Sequence, residues 1–182
     1  MAELEEIEIN SNCIENTEQI IGQLMDNYSD DVLHLVFSYV KNRTTAEDLT
    51  QEIFIKCYEK LGQFNDKSSI KTWLYRIAIN HCKDYLRSWH YRKVKFSDKV
   101  WDYIPSKSNH VDEEVISKNV ANRLTSAVME LPVKYREVVF LYYYEELSLV
   151  NISKITDVNS NTLKTRLKTA RELLKNKMKK EV

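Results

Sequence analysis

Near the C-terminus, Asn161, Lys164, Thr165, Lys168 and Arg171 succeed one another at helical spacing. Leu163, Leu167, Ala170, Leu174 and Met178 fall on the other side of the same helix. A helix packed by that apolar stripe presents an amide, a hydroxyl and cations outward. These are the groups that hydrogen-bond base edges and hold phosphates in the major groove. Asn159 can cap this helix and leave its first backbone N–H groups near a phosphate. An ordinary solvated face has the same composition, so the segment by itself leaves both readings open.

Two further constellations invite the same question. Arg76, Asn80, Lys83 and Arg87 recur at steps of four, three and four, a cationic stripe able to follow a phosphate backbone, with Asn80 able to reach a base edge. The polar loop before them contains Asn65, Lys67, Ser68 and Ser69 and could receive a flipped-out base. Asp84 lies among the cations and could tie them into ion pairs, and taken alone the stripe reads first as a solvated face. Asp48, Gln51 and Glu52, with Ile55 a turn further on, form an acidic and amide patch suited to a basic protein surface. Acidic residues near a helix N-terminus also simply favour its dipole.

Composition narrows the classes. Gly and Pro occur twice each in 182 residues, which favours long helices over turns and strands. No apolar run approaches the ~20 residues that span a bilayer, and the acidic N-terminus has no basic flank before an apolar stretch and does not read as a secretory signal, so a cytoplasmic protein without membrane insertion is expected. Cys13, Cys57 and Cys82 have neither disulfide nor zinc spacing; Cys57 and Cys82 read as small buried groups, and no metal or other cofactor is expected. The histidines lack triad partners and no Gly-rich phosphate loop is present, so no catalytic constellation emerges. The formal net charge of zero conceals a gradient: nine acids and no Lys or Arg in residues 1–31, against eight Lys or Arg and the single acid Glu172 in residues 164–180. One basic end suggests a polyanion partner there, or a solvated Lys-rich terminus.

The elements that must position these groups follow from periodicity. Residues 1–17 form an acidic tail. Helical spacing runs from Ile20 to Met25 and from Val32 to Val40, with a break expected around Asn27–Asp30. Thr44 or Thr45 can cap a second helix, Thr44 with Glu47 having capping-box spacing, and that helix ends near Leu61 with Gly62 beyond it. The strongest amphipathic pattern covers Ile70–Trp89. Residues 93–113 lose the period and read as a linker between an 18–92 domain and a 114–182 domain. In the latter, a helix from near Glu114 carries Val120, Leu124, Val128 and Leu131. Pro132 begins the next helix, running through Val138, Val139, Leu141 and Tyr142; Ser148 caps a short helix, and Asp157–Asn159 is a tight turn before the final helix. That last pair makes a helix-turn-helix pattern. The fold class is all-α, two small helical domains joined by a flexible linker.

Four segments in order carry a family resemblance. Ala46-Glu47-Asp48-Leu49-Thr50-Gln51-Glu52-Ile53-Phe54 resembles the core-polymerase-binding signature of sigma region 2, and Ser69 through Asn80 resembles the promoter-reading helix after it. Leu131 through Val138, and Thr162 through Arg171, resemble sigma region 4. The chain is similar to sigma factors of the extracytoplasmic-function (ECF) type. The resemblance implies an alternative sigma factor that binds core RNA polymerase and directs promoter-specific initiation, with no enzymatic site of its own. It assigns Asp48, Gln51, Glu52 and Ile55 to the clamp of the largest polymerase subunit, with the flap as a further contact. Asn65, Lys67, Ser68, Ser69, Arg76, Asn80, Lys83 and Arg87 are assigned to the −10 element. Asn159, Asn161, Lys164, Thr165, Lys168 and Arg171 are assigned to the −35 element. An anti-sigma partner is implied, and the large N-terminal and middle regions of primary sigma factors have no room here. Departures from the pattern are Asp157 and Asn161, where Gly is usual, and Asn151, where an acid is common. Two other readings compete: a stand-alone helix-turn-helix regulator, which would not need Asp48, Gln51 or Glu52, and a helical protein-interaction module, which would tolerate charge reversal at Lys164, Lys168 and Arg171.

Overall fold

The computed structural model describes residues 15–64, 68–88 and 123–180. These residues fall into two units that divide between Tyr85 and Leu86. The first unit is a helical hairpin with a third helix: α1 (Glu15–Val40), α2 (Arg43–Lys60) and α3 (Ile70–Arg87), whose last two residues lie past the division. The second contains α4 (residues 123–130), α5 (Val133–Val139), a single π-helical turn (Phe140–Tyr144), α6 (Leu149–Thr156) and α7 (Ser160–Lys180). No strand occurs among the described residues.

Helix α1 is continuous, and the break expected at Asn27–Asp30 does not occur. Neither Gly nor Pro interrupts that stretch. Tyr28 fills the gap in the period between the buried Leu24 and Val32, its ring 5.7 Å from the Lys71 ammonium on α3. Helix α1 then stops because Lys41 turns left-handed (φ 57°) while its N–H still bonds Phe37 O. The next residue caps α2: Asn42 Oδ1 accepts from Thr45 N–H at 2.9 Å. The cap is therefore Asn42 rather than Thr44 or Thr45, because the left-handed Lys41 reverses the chain within two residues and Asn already supplies the side-chain oxygen a cap needs. At the other end of α2, Gly62 sits in a 3₁₀ turn (Leu61–Gln63) closed by Phe64 N–H to Leu61 O, and no left-handed glycine ends the helix.

The core of this unit is Leu24, Val32, Leu35 and Val36 of α1, Leu49, Ile53 and Cys57 of α2, and Leu74, Ala78, Ile79 and Cys82 of α3. Each large aliphatic side chain so buried contributes roughly 1.5–3 kcal/mol. Two small hydroxyls caught in it are satisfied locally: Ser38 donates to Leu35 O and Thr50 to Ala46 O. Cys57 and Cys82 are both buried, and neither forms a disulfide. Burial pushes the Cys57 thiol up to about 12 from its ordinary 9.0, against the weaker pull of Lys60, so it stays protonated and inert.

In the second unit Pro132 precedes α5 rather than opening it; its carbonyl accepts from Tyr135 and Arg136 N–H. Helix α5 does not continue regularly to Tyr142. The π turn inserts one residue, seen in the Glu145 N–H bond to Phe140 O, and leaves Tyr143 and Tyr144 half exposed on the outer side. Ser148 caps α6 through Asn151 N–H at 3.2 Å. Asp157 then adopts the left-handed conformation (φ 56°, ψ 34°), as the connection between α6 and α7 requires. Asp enters that region at lower cost than most residues through its short polar side chain, which is how the turn forms without glycine. The linker at 93–113, residues 1–14 of the expected 1–17 tail, Trp89 and the part of the expected Glu114 helix before residue 123 lie outside the described residues, while Glu15, Asn16 and Thr17 of that tail already belong to α1.

Candidate polymerase and nucleic-acid interfaces

The outer face of α2 is built by its own period. Leu49, Ile53 and Cys57 point inward, which leaves Asp48, Gln51, Glu52 and Ile55 together on the outer side, all four exposed. Ile55 is 58% exposed, Tyr58 48% and Met25 45%, so the acidic patch borders an unusually apolar surface. A cleft between α1 and α2 is lined by Ile21, Met25, Gln51, Phe54, Ile55 and Tyr58. A second, of about 280 Å³, shares Met25, Gln51 and Phe54 and extends to Glu47 and Leu33. Charge at the edge and apolar surface at the centre is the anatomy of a protein-docking site. The sequence reading missed Met25 and Tyr58; the available signal was that Ile20, Ile21, Leu24 and Met25 make too wide an apolar arc for one core stripe.

Glu52 is not a loose surface acid. Its Oε2 lies 2.7 Å from His81 Nε2 on α3, and Lys56 Nζ lies 2.8 Å from His81 Nδ1.

Helix α3 carries the second set. Arg76, Asn80 and Arg87 are exposed and Lys83 is half-buried, while Leu74, Ala78 and Cys82 hold the opposite side. Ser69 caps this helix, accepting from Thr72 N–H at 3.2 Å and pairing with Thr72 Oγ1 at 2.9 Å. Ser68 is half-buried beside it, and Asn65 and Lys67 lie outside the described residues. Phe64 meets Trp73 edge-on at 5.5 Å, which ties the start of the loop to α3.

On α7, Leu163, Leu167 and Ala170 are buried, and Asn161, Lys164, Thr165, Lys168 and Arg171 are all exposed. Asn159 caps the helix through Asn161 N–H at 2.8 Å. Thr165 Oγ1 donates to Asn161 O at 3.0 Å. Arg171 is braced by the π turn: its Nε donates to Tyr143 Oη at 2.6 Å, with the guanidinium 5.6 Å from the same ring. Lys177 bonds Glu130 and so ties the end of α7 to α4. With α6, the Asp157 turn and α7 in sequence, this unit is a helix-turn-helix whose second helix offers a cationic and amide face.

Such an arrangement defines the class as an all-helical protein with a helix-turn-helix unit suited to nucleic acid. Among the described residues no helix is long and apolar enough to cross a membrane. Residues 24–91 match the model of sigma-70 region 2 and residues 121–174 that of sigma-70 region 4. The chain is 35% identical over 156 residues to the ECF RNA polymerase sigma factor SigM of Bacillus subtilis, covering 85% of this chain and 93% of that one. It is 30% identical over 169 residues to SigW, an ECF RNA polymerase sigma factor of the same organism, covering 89% and 90%. A solved structure of the sigma factor RpoE with the anti-sigma factor NepR from Bartonella quintana shares the fold, with a TM-score of 0.70, 23% identity and coverage of 88% and 98%. CnrH, solved with the cytosolic domain of CnrY, is similar with a TM-score of 0.65, 18% identity and 91% coverage of each chain.

The chain belongs to the ECF sigma factors of the sigma-70 family. It is an alternative sigma factor: it binds core RNA polymerase and directs promoter-specific initiation of transcription. The stand-alone regulator and the interaction module give way to that reading.

Proposed function

We propose a division of labour between the two units at residue level. Asp48, Gln51, Glu52 and Ile55, extended by Met25 and Tyr58, dock on the clamp of the largest polymerase subunit. Arg76, Asn80, Lys83 and Arg87, with the loop ending at Ser69, hold the opened −10 strand. Asn161, Lys164, Thr165, Lys168 and Arg171 contact the −35 duplex, and Asn159 shapes the start of their helix. The observation that carries this reading is the pairing of an outward acidic and apolar face on α2 with an exposed cationic face on α7, each held by a buried stripe on the reverse of its own helix.

The chain acts in the cytosol, where polymerase and promoter DNA meet, and supplies no catalytic step; polymerase supplies the chemistry. An anti-sigma protein is proposed as a further partner, consistent with the partner in the RpoE structure of similar fold. Site-specific photo-cross-linking in an open promoter complex tests the assignment. A cross-linker replacing Gln51 is expected to label the largest polymerase subunit, and one replacing Thr165 the upstream duplex. Labelling of DNA from position 51, or of no DNA from position 165, contradicts the assignment.

A further inference from the structure

The bridge that ties α2 to α3 has chemistry the docking face alone does not explain. Glu52 is an exposed acid, its side chain 56% accessible, yet its carboxylate is bonded to an imidazole that is only 11% accessible. On the other side of that ring, the Lys56 ammonium approaches Nδ1 at 2.8 Å. An ammonium donates and cannot accept, so Nδ1 must be the accepting, unprotonated nitrogen. The ring proton then sits on Nε2 and is donated to Glu52 Oε2 at 2.7 Å. Glu52 and Lys56 lie one turn apart on α2, and the ring wedged between them satisfies both at once.

We infer that His81 is a positioning residue for polymerase docking, a fixed post that holds the Glu52 carboxylate in one orientation before the partner arrives. The inference rests on the docking role proposed for Glu52. The physical effect is preorganisation: a glutamate on an open helix face samples many rotamers, and freezing it at the interface costs affinity. A carboxylate already held by a part-buried ring has lost that freedom in the free protein. His81 follows Asn80 directly on α3, so the helix that bears the −10 residues on one side braces the docking face with another.

The test is a double-mutant cycle on the full chain, with affinity for core polymerase as the readout and circular dichroism as the folding control. His81→Phe fills the ring's volume without its nitrogens and is expected to bind core polymerase about three- to tenfold more weakly. His81→Gln, which keeps a donor and an acceptor, is expected to recover most of that loss. In a Glu52→Ala background, which itself weakens binding, His81→Phe should add nothing. Nitrogen NMR of the free protein should show Nδ1 accepting and an Nε2–H bonded to the Glu52 carboxylate. If His81→Phe fails to fold, Lys56→Met keeps the ring but removes the donor that fixes its tautomer, and a smaller loss of the same sign is expected. An equal loss from His81→Phe with and without Glu52, or no loss while Glu52→Ala weakens binding, overturns the positioning role alone. A Glu52→Ala variant with unchanged affinity removes the docking role of Glu52 and this inference with it.

Discussion

Combining Asp48→Arg with Glu52→Arg is expected to weaken association with core polymerase at least about a hundredfold, that is by roughly 2.7 kcal/mol or more. Both side chains lie on the outer side of α2, so neither takes part in the core formed by Leu49, Ile53 and Cys57. The change replaces two acids with two cations at the edge of an apolar surface that includes Ile55 and Tyr58. Against a basic partner surface, attraction becomes repulsion, and like-charge juxtaposition costs several kcal/mol. Glu52→Arg also breaks the bond to His81, so Asp48→Arg alone is the cleaner charge probe, with a smaller loss in the same direction. Helical content should stay at the wild-type level by circular dichroism. Retained stoichiometric association by the double variant, measured by size exclusion or fluorescence anisotropy, contradicts the docking assignment.

The second large effect is expected at the other end of the chain. Lys164→Ala with Lys168→Ala removes two exposed cations from α7 without touching its buried stripe of Leu163, Leu167 and Ala170. Removing one cation–phosphate pairing should flatten the plot of log affinity against log salt by about 0.9, so the double variant should reduce the slope by about 1.8. Recognition of the upstream element should weaken roughly ten- to a hundredfold at moderate salt, largely independently of base sequence. Arg171→Ala is a mixed case, because it also releases Tyr143; Tyr143→Phe removes that hydrogen bond while keeping the ring, and separates the two contributions. Binding measured across a salt series checks all three variants. An unchanged slope in the lysine pair rejects phosphate binding at those positions.

How much of this was legible in the sequence depended on whether one helix or two carried the information. The stripes of α3 and α7 could be read directly: a residue every three or four positions must share a face, and Leu74, Ala78 and Cys82, like Leu163, Leu167 and Ala170, are buried where the spacing puts them. Ser148 and Asn159 were likewise visible as caps, since a cap is a local device. Non-local packing was not visible. Helix α1 runs unbroken through Asn27–Asp30, where Tyr28 stands against Lys71 of α3, a partner that no window on α1 contains. The π turn at Phe140–Tyr144 has no sequence period of its own; its register becomes meaningful only once Arg171 of α7 is placed against Tyr143. His81 looked like a histidine without partners for the same reason, because Glu52 and Lys56 reach it from a different helix. Helix ends were intermediate. Asn42 took the cap expected of Thr44 or Thr45, and Gly62 was absorbed into a 3₁₀ turn, since tertiary packing sets the point at which a chain leaves a helix.

The most direct measurement is initiation by purified core polymerase on a broad pool of promoter templates, with and without this chain, read by sequencing the transcripts. The account predicts that the chain concentrates starts on a narrow set of templates sharing an upstream and a downstream element, and that the Asp48→Arg, Glu52→Arg variant loses this enrichment. Starts distributed identically with and without the chain would contradict it.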